Sequence, residues 1–139
     1  MFNFLKNNKK IPENPITNIA ALLIHAAKID ENYTSKEREM IKKAVNELDP
    51  KVQNIEEILL KAEEIEKKSN QILDFTKEVK NLDENLKVKI IEILWSIIYS
   101  DSNPDIYENS LMRRLTGLLY LDPKVVGDIK KKIINNLKQ

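Results

Sequence analysis

A chain of 139 residues with no cysteine, one histidine and two glycines leaves few chemistries open. Disulfides and thiolate sites need Cys, a multi-histidine metal site needs more than His25, and phosphate-cradling loops need more glycine than Gly117 and Gly127. The charges nearly cancel, 23 Lys and Arg against 22 Asp and Glu, so the basic excess that a nucleic-acid binder carries is missing. The length suits one domain, long enough to bury a core without staples. No apolar run reaches the roughly 18–20 residues of a membrane span. The start, Met1-Phe2-Asn3-Phe4-Leu5-Lys6, puts apolar residues before its lysines, the reverse of a secretory signal. The expected location is cytoplasmic, with peripheral contact at the inner membrane as the alternative.

In chain order, residues 1–13 read as a loose tail and 14–139 as a helical domain. Asn14-Pro15 opens the first helix, since proline's missing N–H is unneeded at the first helical position. Ile16, Ile19, Ala20, Leu23, Ile24 and Ala27 give it a helical stripe. Thr34-Ser35-Lys36-Glu37 is a capping box that opens the second helix. Asp49-Pro50 is expected to open a third, with a stripe from Val52 to Ile65 and Glu56, Glu57, Glu63, Glu64 and Glu66 mostly elsewhere on that helix. Asn70 can open a fourth, through Ile72, Phe75, Val79 and Leu82, and Asp83 caps a fifth. From Val88 to Tyr99 that helix is apolar nearly all round, with a polar strip only at Lys89, Glu92 and Ser96, which predicts the central helix. Asp105 and Glu108 repeat the capping box, and Asp122-Pro123 opens the last helix. No segment sustains the period of two that a half-buried strand shows. The reading is all-α, with seven helices.

Two stretches repeat. Ile24 to Lys43 and Trp95 to Arg114 both leave a helix, cross a short loop and enter a capping box. Asp30 aligns with Asp101, Asn32 with Asn103, Thr34 with Asp105 and Glu37 with Glu108. A helix ending in Asp, a turn and a Glu early in the next helix, present twice, resembles the tellurite-resistance TerB-like family. Ala27-Lys28-Ile29-Asp30 with Glu37-Arg38-Glu39, and Leu94 to Asp101 with Tyr107-Glu108, carry the likeness, joined by Arg113-Arg114-Leu115. It spans Pro15 to Ile133. One departure is that the family usually has Gly after each Asp, where this chain has Glu31 and Ser102. The resemblance implies about seven helices in two related halves, a role in tellurite or wider chemical-stress resistance, and acidic residues that bind a metal ion.

The residues themselves admit two readings. Asp101, Asn103, Asp105 and Glu108, with Asp30, Asn32 and Glu37 in the other copy, offer the oxygen ligands that calcium or magnesium takes. Equally, Glu37 and Glu108 complete capping boxes, Asp105 is an N-cap, and Asp30 and Asp101 can cap turns. A calcium-binding EF-hand loop fails, because the sixth and twelfth positions lack Gly and Glu. His25 reads as a helix-surface or satisfied core histidine rather than a catalytic or ligand group, having no second His or Cys to join it. Trp95 and Tyr99 read as core, with a small-molecule cleft beside them as the alternative. Arg113 and Arg114 read as a solvated face, with carboxylate pairing or anion binding as the alternative, and Lys130-Lys131-Lys132 as the exposed side of the last helix. The tail's apolar residues with Lys6, Lys9 and Lys10 would give at most transient membrane contact. The expectation is a non-enzymatic stress-resistance protein that binds a divalent cation and works with other stress-response proteins. A metal-free helical interaction module is the alternative.

Overall fold

The structure, a computed structural model, describes residues 15–29, 33–69, 72–77, 79–101 and 106–137, and of residues 101, 106–108 and 137 the backbone alone. Among them are seven α-helices: α1 Pro15–Ala27, α2 Ser35–Leu48, α3 Ile55–Lys68, α4 Leu73–Thr76, α5 Glu84–Ile98, α6 Ile106–Leu118 and α7 Pro123–Leu137. Two single 3-10 turns, Val79–Asn81 and Tyr99–Asp101, complete them, and the described residues contain no strand. The expected tail, Asn14 and Asn70 lie outside the described residues. No described helix is long and apolar enough to cross a membrane.

Local chemistry sets most helix ends. The Thr34 hydroxyl accepts the Glu37 N–H at 3.1 Å while the Glu37 carboxylate accepts the Thr34 N–H at 2.9 Å, the reciprocal capping box expected. Asp83 accepts the Leu86 N–H at 2.9 Å, and Asp122 the Lys124 N–H at 2.9 Å, with Pro123 opening α7. α6 ends in a Schellman motif: Leu121 N–H reaches the Thr116 carbonyl and Tyr120 N–H the Gly117 carbonyl. Tyr120 takes the left-handed position that glycine usually fills, at φ 57°.

Asp49-Pro50 does something else. Asp49 ends α2, its N–H bonded to the Val45 carbonyl, and its own carbonyl accepts the Val52 N–H. Asp then Pro are also the favoured first two residues of a β-turn, and that use wins here. α3 instead starts after Asn54, which adopts φ 56° and caps nothing with its side chain. The expected fourth helix is likewise broken, into α4 and the 79–81 turn.

The central helix is α1, not the segment from Val88 to Tyr99. Ten of its thirteen residues are buried, and it packs against α2, α3, α4, α5 and the 79–81 turn. Its small residues Ala20, Ala21, Ala26 and Ala27 let neighbours approach on all sides. α5 has the bulkier side chains and is buried along Ile90, Ile91, Leu94, Trp95, Ile97 and Ile98. Its polar strip of Lys89, Glu92 and Ser96 does face outward, and α5 lies between α1 and α7. The connectors of the two repeated helix pairs match in length, residues 28–34 between α1 and α2 and residues 99–105 between α5 and α6.

Candidate functional site

Six of the seven proposed ligand residues have no described side chain. Asp30, Asn32, Asn103 and Asp105 lie outside the described residues; Asp101 closes the 3-10 turn after α5, and Glu108 lies in the first turn of α6. Glu37 is described fully. Its side chain is 2% exposed and accepts the Thr34 N–H and hydroxyl, as the capping reading expects. Among the described residues no group of three or more His, Asp or Glu is placed to hold a metal.

What the structure adds is the anchoring of the first loop. Lys28 Nζ, at the loop's start, pairs with Glu66 at 2.8 Å, and His25 Nδ1 lies 3.2 Å from the same carboxylate. At the loop's end the Tyr33 hydroxyl donates to Glu63 at 2.8 Å, and Arg38 Nε donates to the same oxygen at 2.8 Å. One turn further along α2, Lys42 pairs with Glu56 at 2.8 Å, and Arg38 reaches Glu56 at 3.1 Å. Glu56, Glu63 and Glu66 stand seven and then three residues apart, which puts them on one side of α3. That acidic edge holds both ends of the loop and the first turns of α2.

The electrostatics follow these contacts. Burial first, then the hydrogen bond to Glu63, pushes the Tyr33 phenol well above its ordinary value. The Glu63 hydrogen bond raises the Arg38 guanidinium, so it stays charged throughout. Lys42 and then Arg38 hold the Glu56 carboxyl below the usual carboxylate range, and Glu56 raises Lys42 in return. The glutamates expected mostly off the apolar stripe are thus the ones that grip α2 and the loop. Their signal in the sequence is the seven-residue spacing of Glu56 and Glu63 at the border of the apolar stripe, opposite basic residues four apart at Arg38 and Lys42.

Other singled-out residues fall as follows. His25 is engaged, through Glu66 and a tilted contact with the Phe75 ring at 5.7 Å. Trp95 is buried and packs against Tyr99 at 5.9 Å. Arg113, Arg114, Lys131 and Lys132 are exposed, but Lys130 is half-buried, with its ammonium 5.2 Å from the Trp95 ring centre. Clefts open on the surface between the described helices. One lies between α2, α5 and α7, about 660 Å³, along Met40, Leu48, Ile93 and Ile133. Another lies beside Trp95, between α5, α6 and α7.

Comparison with curated proteins and with solved structures finds no match. The family model of tellurite resistance protein TerB matches residues 17–131, from within α1 to within α7. The match takes in both helix–loop–helix pairs and the helices between them, and the chain belongs to the TerB family of tellurite resistance proteins.

Proposed function

We propose that this chain is a non-enzymatic member of the tellurite-resistance machinery whose paired acidic loops bind a divalent cation, calcium or magnesium. The observation that carries the reading is the anchoring of residues 28–34 by Glu66 at one end and Glu63 at the other. A loop held at both ends loses less freedom on gathering oxygen ligands. The equal connector after α5, with Asp101, Asn103, Asp105 and Glu108, is the second half of the proposed site. The non-enzymatic part rests on composition: there is no cysteine nucleophile, and the one histidine is engaged with Glu66.

Calcium, magnesium and zinc titrations, followed by backbone amide shifts, test it. The expected result is a saturable response of residues 28–34 and 99–108 at millimolar calcium or magnesium, abolished by Asp30→Asn with Asp101→Asn. If neither loop responds, or the double variant responds as the parent does, the cation reading fails. A metal-free interaction module then takes its place, favoured by the cleft along Met40, Leu48, Ile93 and Ile133, which is rimmed by charges of both signs at Lys43, Glu47, Lys89 and Glu92.

A further inference from the structure

The cleft between α5, α6 and α7 has no part in the acidic loops, and four observations meet on it. It measures about 670 Å³, a small-molecule size. The chain's two glycines, Gly117 and Gly127, both line it. Both are helical, neither has a positive φ, and a Cβ at either would meet nothing within 4 Å. Helix interiors disfavour glycine, so neither backbone shape nor close packing accounts for these two. Both face the open space of the cleft.

Polar groups there are unanswered. Trp95 is 4% exposed, yet among the described residues its buried Nε1–H has no acceptor, and the buried Asn109 Oδ1 has no donor. Both side chains line this cleft. The Tyr99 ring packs on the indole, which favours its present orientation. Buried polar groups are rarely left so, and each asks for a partner.

Charge identifies the partner. Arg113 and Lys130 line the cleft, no described carboxylate lines it, and neither cation has an ion pair among the described residues. Met112, Leu121 and Val126 make the remaining wall apolar. We propose that this cleft binds a small amphipathic carboxylate, its apolar body against α6 and α7 and its carboxylate accepting from Trp95 Nε1–H, Lys130 and Arg113. The Asn109 amide, turned about χ2, donates to the same group. Lys130 is the side chain that moves, exchanging the face of the indole for the ligand's charge.

Trp95 is the chain's one tryptophan, so its indole N–H resonance reports on the site alone. The full chain is titrated with octanoate, with octanol to remove the charge and acetate to remove the apolar body. Octanoate is expected to shift the indole signal saturably, with an affinity at least about tenfold above octanol or acetate. Gly127→Leu, which fills the space before α7, is expected to abolish the shift without lowering Tm, and Lys130→Gln to weaken binding about tenfold. An adequate fold in Gly127→Leu is checked by circular dichroism; Lys130→Gln, a half-exposed change, decides the matter if the plug misfolds. Absence of a saturable octanoate shift, equal affinity for acetate or octanol, or unchanged affinity in either variant that folds overturns the proposal.

Discussion

Single side chains here do disproportionate work where they reach backbone or a buried acid. Lys87 is 7% exposed, and its ammonium donates to the Leu119 carbonyl, 2.9 Å away, at the end of α6. Lys87→Met keeps most of the stem and removes the donor, so the cost is that of an unanswered buried carbonyl, about 1–3 kcal/mol. Urea denaturation measures it. Tyr33 gives a pH dependence. Its folded value is raised, so the neutral phenol is the stabilised form. Stability from this group is therefore complete below the ordinary tyrosine value of about 10 and is lost as pH rises beyond it. Tyr33→Phe cannot ionise, and its denaturation midpoint is expected to fall less steeply than the parent's as pH rises above about 10.

Among the elements, α3 is the one whose two faces both act. Its apolar side covers α1 through Leu59 and Ala62, and its acidic edge grips α2 and the first loop. The Arg38–Glu63 pair is three-quarters shielded on both sides, whereas Lys68–Glu64 is open to water. Double-mutant cycles are expected to give a coupling of about 1 kcal/mol for the first and close to zero for the second. The capping chemistry of α2, α5 and α7 was readable from the chain because each cap bonds residues only two or three positions apart. Glu63 is 30 residues from Tyr33, and Glu66 is 38 from Lys28, so no local pattern says which outward carboxylate has a partner. Asp49-Pro50 misled for a different reason, since the same two residues suit a β-turn and a helix start. Of the candidate site, Glu37 was legible as half of a capping box. The clamps around the loop, and the cleft between α5, α6 and α7, arise only when distant helices meet.

At the scale of the whole molecule the core is organised around its first helix rather than around α5 with its bulkier side chains. Leu22 has no exposed surface, and Leu22→Ala is expected to cost about 2–5 kcal/mol. Leu60, on the outer face of α3, is 60% exposed, and Leu60→Ala is expected to stay within about 0.5 kcal/mol. Thermal and urea unfolding of the pair measure how unevenly the stability is distributed.

The position of α1 at the middle also bears on biogenesis. Its partners α2 to α5 all follow it in the chain, and α5 ends at Ile98, about 70 residues after Ala27. At translation rates of about 5–20 residues per second, the greasiest helix waits roughly 4–14 s outside the ribosome before its last wall is made. A nascent chain built in this order presents a ready target for chaperones that grasp apolar segments, and for proteases if they arrive first.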